Sequence, residues 1–372
     1  MVKILGIESS CDETAAAIVE NGQKLLSNVV QSQIDIHAEY GGVIPEIAAR
    51  SHIEAIRPVI TEAFSQSGLS WDDIDGIAVT TMPGLVGSLL IGSLAARSLA
   101  IIHHKPLYAI HHVEAHVYAN FITQAAASNP SLEGLSLPRT QPTFPLLALI
   151  VSGGHTQLVL FKNHGDYALL GQTQDDAVGE AFDKVAKIIG LPYPGGPAIA
   201  KAAASGNETA FTLPKARLSG EFDFSFSGLK TAVLRTIQKE VGVDISYPSF
   251  KLPALVSPTL QADMAASFQR TAIATLVDKT EKAFYKYNPV SVVIAGGVAA
   301  NQALREELAR RLPLSINYAP VQLCTDNAAM IATLGYYMHV AGKSRSPYGL
   351  EVIPSISMSQ TAWGQAADHP TA

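Results

Sequence analysis

Cysteine is nearly absent from this chain of 372 residues, with Cys11 and Cys324 its only two and most of the sequence between them. Two distant thiols build no disulfide framework, which fits a reducing cytosol. Charge is scarce as well: 16% of residues are charged, 26 Lys and Arg face 32 Asp and Glu, and the formal net charge is −6. The basic excess that advertises nucleic-acid binding is missing, so an RNA substrate would have to be read by a local patch or with help from partner proteins. One apolar stretch, Gly84 to Ile102, approaches transmembrane length, but it contains Arg97 and is rich in Gly, Ser and Ala, so a tightly packed buried helix and no membrane contact are expected. Met1 to Glu8 is too short and too soon acidic for a signal peptide and is expected to be the first strand. What remains is a chain that is 48% hydrophobic and long enough for two domains, which describes a well-buried globular protein.

An internal repeat organises it. Lys3 to Glu8 reads as a buried strand, Ser9 to Thr14 as a polar turn and Ala15 to Glu20 as a second strand, after which Asn21-Gly22 supplies a hairpin turn into a third strand around Lys24 to Val30. The same grammar returns at Phe144 to Val151, Ser152-Gly153-Gly154-His155-Thr156, Gln157 to Phe161, and, after Asn163-His164-Gly165, Tyr167 to Gln172. Two such halves predict an α/β fold of the duplicated actin-like ATPase type (ASKHA, ribonuclease H-like), with two lobes about a central cleft. In that architecture, shared by sugar kinases and Hsp70 chaperones, each turn holds phosphates through backbone N–H groups and Ser or Thr hydroxyls; this makes Ser9 and Ser10 candidate phosphate contacts. Residues 1–120 are assigned to the first lobe, 121–143 to an insertion, 144–341 to the second lobe and 342–372 to a loosely ordered extension. Paired glycines at Gly296-Gly297 after the apolar strand Val290 to Ala295 let a ligand approach the backbone, with Asn301 placed to bond a sugar or base edge. Tyr193-Pro194-Gly195-Gly196-Pro197 is a rigid turn whose glycines suit the same task.

The run His111-His112-Val113-Glu114-Ala115-His116 places two imidazoles four residues apart, which stacks His112 over His116 on one helical face at a span a divalent ion can bridge. The zinc-protease spacings are absent: Glu114 stands two residues from each His, about 200° around the helix, and points away from any ion the pair holds. Two imidazoles leave an ion short of ligands, so a carboxylate is expected from elsewhere. Asp326, just before a helix of about fifteen residues by the sequence pattern, is the best candidate, although an Asp there is equally suited to cap that helix. Asp12, Asp175, Asp176 and Asp183 compete, and spacing does not choose among them.

These stretches together resemble the tRNA N6-adenosine threonylcarbamoyltransferase family in its bacterial form, TsaD. The matching motifs, in order, are GIESSCDET (6 to 14), HHVEAH (111 to 116), VSGGHT (151 to 156), GEAFDKVAK (179 to 187), YPGGP (193 to 197), FSFSGLKTAV (224 to 233), GGVAAN (296 to 301) and CTDNAAMIA (324 to 332). The resemblance implies one divalent metal, Fe2+ with Zn2+ as the alternative, on His112, His116 and Asp326. It implies nucleotide binding at Ile150, Val151, Ser152, Gly153, Gly154, Asp183, Gly196 and Asn301, and it leaves His111 out of the ligand set. The expected reaction moves a threonylcarbamoyl group from threonylcarbamoyl-AMP to N6 of adenosine 37 in tRNAs that read codons beginning with A. The expected partners are tRNA, the inactive paralogue TsaB on the first lobe and the P-loop ATPase TsaE, in the bacterial cytoplasm. His155 after the Ser-Gly-Gly turn matches the bacterial and organellar branch. The chain departs from the family at Ala200, where many members carry an acidic residue, and in longer segments at 121–143 and 244–258, which suit surface insertions. The rival readings are an ATP-dependent kinase or ATPase on the same fold, a metalloprotease, and a nucleotide-binding scaffold.

Overall fold

A computed structural model describes residues 1–360 and 363. Along the chain run β1 (Lys3–Glu8), β2 (Glu13–Glu20), β3 (Lys24–Ser32), α1 (Ile34–Ala38), α2 (Pro45–Ser67), β4 (Gly76–Met82), α3 (Val86–Ile102), β5 (Leu107–His111), α4 (His112–Tyr118) and β6 (Gln124–Ala125). Then follow β7 (Leu146–Val151), β8 (Thr156–Asn163), β9 (Asp166–Gln172), α5 (Val178–Ile189), α6 (Gly195–Ala203), α7 (Ser227–Glu240) and α8 (Pro258–Tyr287). The series ends with β10 (Ser291–Ala295), α9 (Gln302–Arg311), β11 (Ile316–Asn317), α10 (Val321–Cys324) and α11 (Ala328–Val340).

The duplication is visible in strand order. One sheet runs β5-β4-β1-β2-β3-β6 and the other β11-β10-β7-β8-β9, so the first five positions of each follow the same path. In both, the opening strand meets a later one in parallel, β1 with β4 and β7 with β10. The first copy also holds the expected antiparallel hairpin between β2 and β3, turned by Asn21 at φ 51° and Gly22 at φ 67°. This is the duplicated α/β fold of the actin-like ATPases. β7 is fully apolar and β1 is apolar from Ile4 to Ile7 because neighbouring strands and covering helices bury both of their faces.

Two compact units result: Met1–Phe144, Phe161–Ala168 and Asn317 onward in the first, Pro145–Leu160 and Leu169–Ile316 in the second. The expected lobe boundary is therefore displaced, since residues 317–341 were assigned to the second lobe. The physical reason is helix α11. A Cβ at Gly6 would lie 2.6 Å from the Ala332 nitrogen and press on the Ala328 carbonyl, and a Cβ at Gly335 would press on Ala78, so α11 packs directly on the backbones of β1 and β4.

Other expectations also shift. Helix α3 is buried on one face only, with Val86, Leu90, Leu94 and Ile102 exposed on the other. The 121–143 segment, expected as a surface insertion, is anchored to the first sheet: β6 pairs in parallel with β3, and Asn129 donates to the Leu26 carbonyl at 3.0 Å. Gln238 fastens the 244–258 segment through the carbonyls of Ile245 and Tyr247. The described part of the extension is tied down too, with Arg345 N–H donating to the Leu107 carbonyl at 2.8 Å and Ile353 N–H to the Thr81 carbonyl at 2.9 Å. Residues 361, 362 and 364–372 of that extension lie outside the described residues.

Within the first unit, His164 stacks on Tyr337 at 3.8 Å between ring centroids and accepts or shares a hydrogen bond with the Tyr118 hydroxyl at 3.2 Å. Burial holds its imidazolium down, to a pKa of about 4. Its folded-state pKa is below the unfolded value, so stability is full above about pH 6.5 and declines as pH falls toward 4. Thermal unfolding measured against pH should show this loss in the parent, and His164→Phe should flatten that part of the curve. Gly6→Ala should lower stability by about 1–3 kcal/mol through overpacking, read as a lower urea midpoint at unchanged slope.

Candidate metal centre and nucleotide turn

β1, β4 and β5 are parallel, so their carboxyl ends share one edge of the first sheet. Ligands in open α/β sheets gather at such edges. Here they present Glu8 at the end of β1, Thr80 near the end of β4, and His111 at the end of β5 running straight into α4. His111 caps that helix, its Nδ1 accepting the Glu114 N–H at 3.3 Å, which commits it to the turn. His112 and His116 then face the same side, with ring centroids 4.7 Å apart.

Asp326 meets them both. Its Oδ1 lies 3.4 Å from His112 Nε2 and 3.3 Å from His116 Nε2. The capping alternative fails because the next residue does that work: Asn327 accepts the Met330 N–H at 3.1 Å and starts α11, leaving the Asp326 carboxylate to the histidines. Of the other candidate carboxylates, Asp12 is not part of the group and the remaining three are engaged elsewhere. Asp175 accepts from Ser225 Oγ and from the N–H groups of Phe226 and Ser227, Asp176 pairs with Lys184 and Lys230, and Asp183 accepts the Gly195 N–H. Among the described residues, His112, His116 and Asp326 form the one group of three or more such side chains suited to an ion. All three belong to the first unit, so Asp326 is not supplied by the second lobe.

The residues fit a metal on two grounds. A tetrahedral ion with bonds of about 2.1 Å holds its ligand atoms about 3.4 Å apart, which is the spacing observed around Asp326 Oδ1. His116 is 1% exposed, yet neither of its ring nitrogens makes a hydrogen bond among the described residues. A buried imidazole left that way is costly unless a cation takes its lone pair. Electrostatics agree. Burial by itself would depress the His112 imidazolium, but the Asp326 and Glu8 carboxylates reverse this and hold it well above the ordinary range. Burial would raise Asp326, and the facing histidines pull it well below.

Glu114 points the other way, as its helical position requires. It is 2% exposed, accepts a hydrogen bond from the Tyr167 hydroxyl at 3.1 Å, and is raised by burial to about 8. A neutral acid facing away from the ion cannot activate water for proteolysis.

The hydroxyls of the two serines after β1 are bonded inward. Ser9 is fully buried, donating to the Ser88 carbonyl at 2.8 Å and accepting the Gly92 N–H at 3.1 Å. Ser10 is 2% exposed and turns its hydroxyl to His112 Nδ1 at 3.1 Å. Glu8 and Thr80 are the site residues that sequence reasoning missed. The available signal was a lone carboxylate closing the otherwise apolar strand KILGIE.

The second unit holds the remaining candidates. Ile150 and Val151 end β7, and Ser152 closes the turn, its N–H donating to the His155 carbonyl at 2.8 Å and its Oγ accepting the His155 N–H at 3.1 Å. Gly153 and Gly154 have open space where a Cβ would stand, whereas Gly179 packs against Ser152 and brings the start of α5 beside the turn. Gly296, at φ 88°, is required for a different reason: a Cβ there would lie 2.5 Å from the Val151 carbonyl oxygen. Asp183 Oδ1 accepts the Gly195 N–H at 2.7 Å at the start of α6, where Gly196 faces open space. Asn301 caps α9 through Leu304 N–H and donates to Gln269 Oε1 at 2.9 Å.

Comparison with known proteins follows the same residues. The family profile described as TsaD, tRNA N6-adenosine threonylcarbamoyltransferase, matches residues 24–333. A protein of that name from Thermomicrobium roseum is 47% identical over 98% of this chain and 100% of its own length. Another, from Gloeobacter violaceus, is 50% identical over 90% of each. Among solved structures, HypF of T. kodakarensis superposes with a TM-score of 0.58 at 13% identity, over 92% of this chain and 48% of that one, which is a likeness of fold. With the matched span enclosing the His112, His116 and Asp326 group, the chain belongs to the TsaD family of tRNA N6-adenosine threonylcarbamoyltransferases.

Proposed function

We propose that this transferase moves the threonylcarbamoyl group of threonylcarbamoyl-AMP to N6 of adenosine 37 in tRNAs reading codons that begin with A, releasing AMP. The observation that carries the reading is the group of two buried imidazoles, His112 and His116, with the half-buried Asp326 carboxylate, inside a span matched by the family. We assign it iron(II) on the resemblance; zinc suits the same donors. When bound, the ion supplies Lewis-acid polarisation of a phosphate or carbonyl oxygen.

The chain's own residues bind and orient. An exocyclic adenine amine is a weak nucleophile, so the acyl carbon must be held in line with it and the AMP side kept still. Ile150 to Gly154 offer the backbone for that grip, with Gly153 and Gly154 admitting close approach. Asp183 and Asn301 act by fixing the starts of α6 and α9, and Gly196 leaves room for a nucleoside. A kinase or ATPase on this fold has no need of a helical histidine pair, and Glu114 is misplaced for a protease.

The exposed apolar stripe of α3, Val86, Leu90 and Leu94, supports a paralogue subunit of the TsaB kind on the first unit. With a net charge of −6, the chain needs help to hold tRNA, and a TsaE-like ATPase completes the set, in the cytoplasm. Among the described residues no helix is long and apolar enough to cross a membrane.

His112→Ala and His116→Ala should each remove bound metal and threonylcarbamoyl transfer together, read by metal analysis beside a reconstituted assay; full activity in a metal-free double mutant would overturn the assignment. In that assay the isolated chain should bind tRNA weakly and turn over only when both partners are added.

A further inference from the structure

Glu8 is wholly buried at the carboxyl end of β1, and three donors converge on its carboxyl group. The Ser10 N–H donates to Oε1 at 2.6 Å, the Thr80 hydroxyl to Oε2 at 2.6 Å, and His112 Nδ1 lies 3.1 Å from Oε2. The Ser10 hydroxyl is also 3.1 Å from His112 Nδ1, but a hydroxyl can donate as readily as accept and selects no tautomer. An ionised carboxylate only accepts. It therefore demands a proton on Nδ1, which makes Nε2, 3.4 Å from Asp326 Oδ1, the nitrogen that would give its lone pair to an ion shared with Asp326.

We propose that Glu8 is a positioning residue for the metal: it fixes the tautomer and ring angle of His112 so that Nε2 is always the liganding nitrogen. The inference rests on the metal-centre reading above and extends it beyond the three ligands. Carboxylate, imidazole and ion then form a chain in which the carboxylate raises the donor strength of the ring. Charge supports the arrangement. Glu8, fully buried, and Asp326, half-buried, are two carboxylates set about imidazoles that are neutral when they ligate an ion, and one divalent cation balances both. Glu8 is held by β1 and β4, not by α4, so the histidine is braced against the sheet rather than by its own helix.

Glutamine is the informative replacement because it keeps the shape and breaks the pattern of acceptors. With its oxygen toward Thr80 and His112, its amide opposes the Ser10 N–H. With its oxygen toward Ser10, its amide donates to Nδ1 and drives the ring proton onto Nε2, the nitrogen the metal needs.

The test is competition of the full-length chain against a chromophoric chelator, with zinc alone as the probe. Glu8→Gln should bind zinc about 10- to 100-fold more weakly than the parent. Thr80→Val, which removes one brace from the carboxylate and keeps the side-chain volume, should show a smaller loss of the same sign and decides the matter if Glu8→Gln does not fold. In the zinc-loaded parent the His112 Nδ1 proton should resonate far downfield, as expected of a hydrogen bond to a carboxylate, and move upfield in either variant. Unchanged zinc affinity and an unchanged resonance, with zinc lost in His116→Ala, would overturn the role of Glu8 and leave the metal centre standing. Zinc retained by His116→Ala would overturn the metal centre and this inference with it.

Discussion

The contact between helix α11 and the bare backbone of β1 is the constraint on which the candidate metal centre depends. At Gly6 the absence of a side chain lets the Ala328 carbonyl and the Ala332 nitrogen rest against the strand, and at Gly335 the helix returns the arrangement against Ala78. Helix and sheet come closer than ordinary side chains would allow, and the residue just before the helix, Asp326, is carried to the edge where β5 hands the chain to α4. Ligand geometry near 3.3 to 3.4 Å is thus set by interior packing, which resists small displacements.

The edge itself explains why unlike residues gather there. Three parallel strands end together, and each end contributes something different: a carboxylate from β1, a hydroxyl from β4, and from β5 a helix carrying two imidazoles. Each of the three neighbouring histidines has its own task. His111 satisfies a helix N-terminus, His112 stands between two carboxylates, and His116 turns toward Asp326 in a pocket with no other hydrogen-bonding partner for it. The duplicate edge in the second unit, at the ends of β7 and β10, took another course: glycines at 153, 154 and 296 keep its backbone open or tightly packed, with no comparable group of ligands among the described residues.

Much of this was legible in the sequence. The paired strand–turn–strand patterns gave the duplicated sheets because alternation of apolar runs with Gly- and Ser-rich turns is a local signal. The histidine pair was legible because helical period is local too. The third ligand was only nominated, since Asp326 and Asn327 are both good caps and it takes the backbone to show that Asn327 fills that position. The bonds of Ser9 to the backbone of α3 were not legible, because a hydroxyl so engaged looks, in sequence, the same as one waiting for phosphate. The unit boundary was misplaced because nothing near residue 317 announces a crossing; the cause lies more than three hundred residues away at Gly6. Glu8 went unnoticed for a similar reason, its meaning coming from Thr80 and His112 across the sheet.

Synthesis order gives that long-range closure a temporal meaning. A nascent chain released through residue 316 already contains both histidines and Glu8, but neither Asp326 nor the helix that covers β1 and β4. Domains commonly fold as units while the chain emerges, and here the first unit stays incomplete until the second has been made and α11 follows it. A chain truncated before Asp326 and α11 would retain two histidines without the carboxylate that joins them.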